Sequence, residues 1–435
     1  QRRYAVAACF YLAFLDLYPK LPEALRAAEK LTLPPWGMLT GVRPDKPITR
    51  ALMEGKTPEE AKRELKARYF VPEERAALAL ETGAVGYQAL KRLEKRDIDL
   101  YVGIPFCPTR CAYCSFVSQS VERSFSLVEP YVKALIAEIR AGGEMVRKNH
   151  LRPLTFYIGG GTPTSLSADQ LRQLMGTMAE QFDLPALEEF TVEAGRPDCT
   201  DEEKLRIIKE YGATRISINP QTFSDEVLRN IGRRHTAQDI LDCYRTARRV
   251  GHDNINMDLI AGLPGDTVEG FRHSLQTAID LDPENITVHT LTLKRASNLV
   301  VEHRAADYAD VAAMVESCEL LEKAGYRPYY LYRQKGTLQN LENVGWCKPG
   351  YECLYNIYIM EEVHTILSAG AGGSTKLVAP GARHGKIERI FNYKYPTEYI
   401  DRFDTILARK EGVKQFYDQY PNCGESARPQ AHGGV

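Results

Sequence analysis

Six short apolar runs, each separated from the next by helical patterns, constrain the fold of this chain more than any other feature. Between the first two runs, for example, residues 127–148 carry apolar side chains at helical spacing. Such alternation is typical of parallel βα units and predicts an α/β fold, either an open doubly wound sheet or a full or partial barrel. The six runs cover residues 98–104, 154–158, 189–192, 214–218, 255–260 and 286–291.

Charge and hydropathy exclude several classes of protein. Lys and Arg total 56 and Asp and Glu total 57, so the net charge is -1, whereas dedicated nucleic-acid-binding proteins usually carry a basic excess. The most apolar stretch, residues 4–17, is shorter than the roughly 20 residues that cross a bilayer. It also lacks the small-residue cleavage site of a signal peptide. We therefore expect a buried helix there, no membrane span and no nucleic-acid partner.

The cysteines divide into a scattered set and a close triplet. Scattered thiols in a large chain indicate a reducing compartment, so we expect a cytoplasmic protein. The triplet reads Cys107-Pro-Thr-Arg-Cys111-Ala-Tyr-Cys114, and the nearest histidine in sequence is His150. Structural zinc usually takes four ligands, whereas three thiolates on a short loop suit a [4Fe–4S] cluster with one iron left open for a small molecule. The scattered cysteines are Cys9, Cys199, Cys243, Cys318, Cys347, Cys353 and Cys423.

Candidate catalytic and ligand-binding residues cluster at the carboxyl ends of the predicted strands. Parallel strands present these ends at one edge or rim, where α/β proteins place their ligands. We therefore expect one composite site rather than several. The residues in question are Cys107 after the first strand, Gly159–Gly161 after the second, Glu193 after the third, Asn219 and Gln221 after the fourth, and Asp258 within the fifth.

Four sequence segments resemble a known family. Residues 101–114 resemble the cluster loop of radical S-adenosylmethionine (SAM) enzymes. Residues 157–164, 215–221 and 256–264 are similar to the oxygen-independent coproporphyrinogen III oxidase (coproporphyrinogen dehydrogenase) family, in particular to its HemZ-type branch. The resemblance implies a partial (β/α)6 barrel over residues 96–305. It is preceded by a helical region over residues 1–95 and followed by a HemN-like α+β extension over residues 306–435.

The resemblance also implies the cofactors and the residues that contact them. Cys107, Cys111 and Cys114 correspond to ligands of a [4Fe–4S] cluster, and SAM completes the open iron. Tyr101, Gly160 and Glu193 match contacts of the cluster-bound SAM. Thr292 and Ser374 match family positions less closely. The positions that match contacts of a second SAM are Tyr113, Gly161, Thr162, Gln221, Arg233 and Asp258.

The same residues also have an independent physical rationale. Successive glycines allow a backbone to approach a ligand closely, although a tight turn without a ligand uses glycine in the same way. Glu193 and Asp258 are suited to accept hydrogen bonds from ribose hydroxyls or an amine, but a rim ion pair is an alternative. Arg233 is suited to hold a carboxylate, and a solvated surface arginine is the other interpretation.

By resemblance, a 5′-deoxyadenosyl radical takes a hydrogen atom from a propionate group of coproporphyrinogen III, which then loses CO2 and an electron and becomes a vinyl group. Porphyrin and heme biosynthesis, a tetrapyrrole substrate and a one-electron reductant such as flavodoxin or ferredoxin follow from that reading. Because the substrate is a tetra-anion, cations should line its cavity. Candidates are Arg295, Arg333 and Lys335.

Two alternatives remain open at this stage. Some decarboxylating members carry a further cysteine where this chain has Phe116, and this departure is more similar to the heme-chaperone and HemZ-type branches. A HemW-like heme chaperone is therefore one alternative, with His289 or His303 as candidate iron ligands. A HemN-like radical SAM methyltransferase, or other radical chemistry, is the second.

Overall fold

A computed structural model describes residues 2–28, 33–114, 118–294, 297–301, 310–379 and 387–420. Its centre is an eleven-stranded sheet in the order β13-β12-β11-β1-β4-β5-β6-β7-β8-β10-β9, with β2 and β3 forming a separate pair. The strands are β1 Asp97–Ile104, β2 Phe106–Cys107, β3 Gln119–Ser120, β4 Arg152–Gly160, β5 Glu189–Glu193, β6 Arg215–Ser217, β7 Ile255–Ala261, β8 Asn285–Thr290, β9 Arg327–Tyr332, β10 Asn343–Cys347, β11 Thr365–Ala369, β12 Ser374–Val378 and β13 Ile387–Phe391.

Helices cover the sheet and build the N-terminal region. Thr57 caps the start of one of them, because its hydroxyl accepts from the Glu60 amide while the Glu60 carboxylate accepts from the Thr57 amide. Within the described residues the α-helices are α1 Arg2–Leu17, α2 Glu23–Ala28, α3 Lys46–Met53, α4 Pro58–Tyr69, α5 Glu73–Lys91, α6 Val121–Lys148, α7 Ala168–Gln181, α8 Glu202–Glu210, α9 Asp225–Asn230, α10 Ala237–Val250, α11 Val268–Asp280, α12 Asn298–Val301, α13 Val311–Glu316, α14 Glu319–Lys323, α15 Leu354–Glu361, α16 Pro396–Asp401 and α17 Phe403–Tyr417.

The six central strands confirm the predicted α/β fold. β1, β4, β5, β6, β7 and β8 are parallel and neighbour one another in chain order. A doubly wound sheet would instead reverse its order at a switch point. Helices α6, α7, α8 and α10 also contact one another in succession, as a single layer does. The architecture is therefore the partial (β/α)6 barrel, and its other face is left free for ligands.

Strands from the C-terminal part extend this sheet at both ends. β11 runs parallel to β1, with Ile98 opposite Thr365, and carries β12 and β13 beyond it. On the other side, β10 runs antiparallel to β8 and pairs with β9. The predicted boundary at residue 305 lies outside the described residues, so the division into three units remains a prediction.

The expectation of a buried N-terminal helix is wrong in one respect. Residues 2–17 form α1, but Val6, Phe10 and Leu17 are 51%, 74% and 55% exposed. The rings of Tyr4 and Tyr11 contact α4 and the residue at its C-cap. Because apolar residues occupy every side of α1, these contacts cover only part of its apolar surface. None of the described helices has the length and apolar character that crossing a membrane requires.

One buried carboxylate ties the C-terminal strands and helices to the barrel. Glu138 on α6 is 2% exposed and lies 2.9 Å from Lys410 Nζ on α17. It also accepts from Asn392 Nδ2 at 2.8 Å, from the Gly370 amide at 2.8 Å and from the Tyr399 hydroxyl at 2.5 Å. Every donor around this carboxylate comes from the chain beyond residue 369.

We expect Glu138→Ala to lower the free energy of unfolding by about 3–5 kcal/mol, because it leaves the Lys410 charge buried without a counter-charge. Urea denaturation followed by circular dichroism measures the change. The matched control is Glu144→Ala on the same helix, whose exposed pair with Lys148 should contribute little. Equal stability of the two variants would contradict the assignment.

Candidate active site

A single cavity of about 780 Å³ opens at the carboxyl ends of the barrel strands. It spans the cysteine loop on one side and the C-terminal strands β9 and β12 on the other. It is lined by all fourteen residues that the resemblance assigns to the cluster or to SAM: Tyr101, Cys107, Cys111, Tyr113, Cys114, Gly160, Gly161, Thr162, Glu193, Gln221, Arg233, Asp258, Thr292 and Ser374. The structure therefore places these fourteen residues around one cavity, including the two loosest matches.

Backbone hydrogen bonds hold the cysteine loop against neighbouring loops. The Ala112 amide donates to the Ile231 carbonyl at 2.9 Å, and the Thr109 hydroxyl donates to the Gly232 carbonyl at 2.9 Å. Cys111 is buried, whereas Cys107 and Cys114 are half-buried. Burial raises the pKa of the Cys107 thiol, and the Thr162 hydroxyl donates a hydrogen bond to this sulfur at 3.5 Å. A ligand that binds thiolates would therefore displace a proton here.

The thiols suit a cluster better than a single ion. Among the residues described here, no three His, Cys, Asp or Glu side chains converge as they would around one metal ion. A cuboidal cluster makes no such demand, because each cysteine binds a different iron. The three cysteines face one cavity, without a fourth cysteine or a histidine on their loop. The donor set therefore fits a [4Fe–4S] cluster with one open iron.

Glycines at the end of β4 bring two backbones into contact. Gly160 has a φ of 106°, which favours glycine, and the Gly161 amide donates to the Ile104 carbonyl at 2.7 Å. A Cβ at Gly161 would lie 2.5 Å from the Phe106 carbonyl oxygen and 2.9 Å from Cys107 Sγ. The sequence led us to expect these polar groups to meet a ligand. The amides of Gly161 and Thr162 instead donate to the chain that enters the cysteine loop.

Two carboxylates in the cavity differ in their protonation. Burial raises the pKa of Glu193 to about 7, and the Tyr157 hydroxyl donates to its Oε1 at 2.7 Å. Burial acts to raise the pKa of Asp258 as well, but hydrogen bonds from His289 and Asn256 outweigh it and hold this pKa below its usual value. Asp258 is therefore ionised near neutral pH while Glu193 titrates there.

Arg233 is a buried residue, not a solvated surface arginine. It is 7% exposed, and its guanidinium donates to the Asn219 carbonyl at 2.7 Å and to the Tyr113 hydroxyl at 3.2 Å. Gln221 has a φ of 67° and its amide donates to the Asp258 carbonyl at 2.8 Å. These contacts couple the loop after β6 to the cysteine loop and to β7.

Five tyrosines line the cavity away from the cysteine loop, and the sequence identified only Tyr101 among them as part of the site. Tyr157 stacks on Tyr355 at 4.6 Å between ring centroids and on Tyr101 at 6.2 Å. Tyr330 and Tyr332 stack at 6.2 Å. These tyrosines come from β1, β4, β9 and α15, so only the tertiary fold assembles them. They form planar apolar surfaces beside the polar groups.

The cations of the cavity differ from those expected. Arg333 donates to the Leu39 carbonyl at 2.8 Å and, like Lys335, does not line the cavity, while Arg295 lies outside the described residues. β12 and β13 extend the sheet beyond β11 and supply other cations. A charged residue within an apolar strand, as at Arg215, was the one signal available in the sequence. The cations that line the cavity are Arg196, Arg215, Arg233, Lys294, Lys376 and Arg389.

One of the two histidine candidates lies among the described residues and lines the cavity. His289 Nε2 lies 3.7 Å from Asp258 Oδ1, and its Nδ1 lies 3.3 Å from the Tyr332 hydroxyl. Its ring therefore lies between a carboxylate and a tyrosine. His303 lies outside the described residues.

Comparison with known proteins identifies relatives with the same overall fold. A family model described as the radical SAM superfamily matches residues 101–278. The chain is 43% identical over 86% of its length to the oxygen-independent coproporphyrinogen-III oxidase-like protein HemZ of Bacillus subtilis, 76% of which is covered. It is 41% identical over 75% of its length to the heme chaperone HemW of the same organism, 84% of which is covered. Proteins of this superfamily use a [4Fe–4S] cluster and SAM.

A solved structure supports the fold. Coproporphyrinogen III oxidase (HemN) from Escherichia coli, a radical SAM enzyme, superposes with a TM-score of 0.56 at 22% sequence identity. The match covers 75% of this chain and 73% of that one. The two proteins therefore share a fold over about three quarters of each chain.

We expect the affinity for SAM to depend on the protonation of Glu193. Because its pKa is about 7, the carboxyl is mostly protonated at pH 6 and mostly ionised at pH 8, and the ionised form is the better hydrogen-bond acceptor. Affinity should rise by up to about tenfold over that range, as measured by equilibrium dialysis with reconstituted protein.

Glu193→Gln should remove this pH dependence, and Glu203→Gln, an exposed control on α8, should retain it. An unchanged pH dependence in Glu193→Gln would show that another group controls binding.

Proposed function

The chain belongs to the radical SAM superfamily and to the HemZ-type branch of its oxygen-independent coproporphyrinogen III oxidase family, and we propose that it decarboxylates coproporphyrinogen III oxidatively. Its propionate side chains would become vinyl groups. The observation that carries this proposal is the joint cavity, which has three cysteines on one wall and tyrosines and cations on the other. A volume of about 780 Å³ lies within the range of sites that enclose organic ligands.

In this proposal Cys107, Cys111 and Cys114 would hold the cluster, and SAM would bind in the cavity beside the cysteine loop. When bound, the reduced cluster and SAM supply the oxidising power that removes a hydrogen atom from the substrate. Glu193 and Asp258 would accept hydrogen bonds from SAM, and Arg233 would pair with a carboxylate. The protein itself binds, orients and excludes water.

The opposite wall is suited to a tetrapyrrole. The tyrosine rings provide flat contact surfaces, and Lys294, Lys376 and Arg389 provide positive charge for propionates. Arg215 is 2% exposed and its Nε has no hydrogen-bond partner among the described residues, so it is available for a carboxylate at the floor of the cavity. A buried guanidinium with an unsatisfied N–H is costly, and a bound anion would offset that cost.

A heme chaperone is the second candidate, favoured by the 41% identity to HemW. In that case the same cavity, or another surface, binds heme and the protein turns over little substrate. His289 lines this cavity and is the described histidine candidate for an iron ligand. None of the nine described cysteines forms a disulfide, as expected in a reducing cytoplasm.

The test is anaerobic incubation of reconstituted protein with SAM, a one-electron reductant such as flavodoxin, and coproporphyrinogen III. We expect a product lighter by two CO2 and four hydrogens, together with 5′-deoxyadenosine, in mass analysis. Intact porphyrinogen beside abundant 5′-deoxyadenosine would reject decarboxylation of this substrate. S-adenosylhomocysteine would indicate a methyltransferase, and tight heme binding without products would indicate the chaperone.

Cys111→Ala should abolish both the brown cluster absorbance and the cleavage of SAM, because the remaining two thiolates of the loop leave a second iron unligated. Absorbance spectra and iron content after anaerobic reconstitution measure the effect. Cys9→Ala, which changes an exposed cysteine of α1, serves as the control. Retained colour and SAM cleavage in Cys111→Ala would exclude this cysteine as a ligand.

A further inference from the structure

A buried arginine, Arg196, contacts the cysteine loop. Arg196 follows β5 and is 4% exposed. Its Nη1 lies 3.6 Å from Cys111 Sγ and 3.4 Å from the Thr109 carbonyl oxygen, and its Nη2 donates to the Thr109 hydroxyl at 3.0 Å. One guanidinium thus contacts the first turn of the loop at three points.

The carboxylate of Asp198 fixes the orientation of the Arg196 guanidinium. Asp198 Oδ1 accepts from Arg196 Nε at 2.9 Å, and Oδ2 accepts from Nη2 at 2.7 Å, as in a bidentate pair. His235 Nδ1 lies 3.5 Å from Asp198 Oδ1 on the other side. Burial alone would raise the pKa of Asp198, but His235 and Arg196 hold it well below its usual value, so the pair remains charged.

This arrangement places a permanent positive charge beside one sulfur of the cysteine loop. Hydrogen bonds to the sulfurs and local charge are among the factors that set the reduction potential of an iron–sulfur cluster. A reduced cluster carries one more negative charge than an oxidised one, so a nearby cation stabilises the reduced state more. Arg233, which donates to Asn219 and Tyr113, adds a second positive charge near the Cys111 sulfur, and the two arginines act on it in the same direction.

We propose that Arg196 is a positioning residue that hydrogen-bonds the sulfur of Cys111 and raises the reduction potential of the cluster, with Asp198 holding it in place. The proposal rests on the proposed function only in taking Cys111 as a cluster ligand. It requires no particular substrate. It gives this chain a means of making the cluster easier to reduce by a cellular electron donor.

The test is a redox titration of the reconstituted full chain, monitored by electron paramagnetic resonance without substrate. Arg196→Met should shift the midpoint potential to more negative values, because it removes both the charge and the hydrogen bond. Arg196→Lys should shift it less, since lysine retains the charge but cannot form the fork with Asp198. Arg234→Met is the control, because this neighbouring arginine is exposed and pairs with Glu122.

Iron content is measured in every variant, so that cluster loss is not mistaken for a shift in potential. If Arg196→Met assembles no cluster, Arg196→Lys carries the test. A parental midpoint potential in an iron-replete Arg196→Met or Arg196→Lys variant would overturn the proposal for Arg196 alone. Failure of the parent chain itself to assemble a cluster would instead reject the proposed function.

Discussion

The close contact between the end of β4 and the entry to the cysteine loop is the constraint on which the rest of the site depends. Gly161 lies so near Phe106 and Cys107 that a single Cβ would collide with both. Amides of the β4 end donate to carbonyls of the β1 end, so the two strands continue to pair beyond the sheet. The loop is therefore held at the rim of the barrel before any ligand binds, and the cavity forms around it.

Buried charge in this site is arranged so that each group has a distinct partner. His289 and Asn256 stabilise Asp258 as an anion. Burial raises the pKa of Glu193 to about 7. Arg196 forms an ion pair with Asp198. Because the dielectric constant inside the protein is low, separating any of these groups from its partners would cost free energy. The cavity therefore holds an anion, Asp258, an acid that titrates near neutral pH, Glu193, and a cation, Arg196, before a charged ligand binds.

Local sequence patterns predict the secondary structure of this chain but not the burial of α1 or the cations of the cavity. The six parallel strands and the helix start at Thr57 follow from periodicity and capping, which act within a few residues. α1 was expected to be buried and is largely exposed, because burial depends on the presence of a surface to pack against. The cations of the cavity were misassigned, because β12 and β13 join the sheet through residues far apart in the chain.

The sequence by itself determined the fold class, the cysteine spacing and the set of residues at the strand ends. Each of these depends on short-range order, and parallel strands necessarily bring their carboxyl ends together. Only the tertiary structure decided which tyrosines face one another, which cations reach the cavity and that Arg196 lies against Cys111. Those contacts join residues separated by tens to hundreds of positions, and no local pattern specifies a distance of that kind.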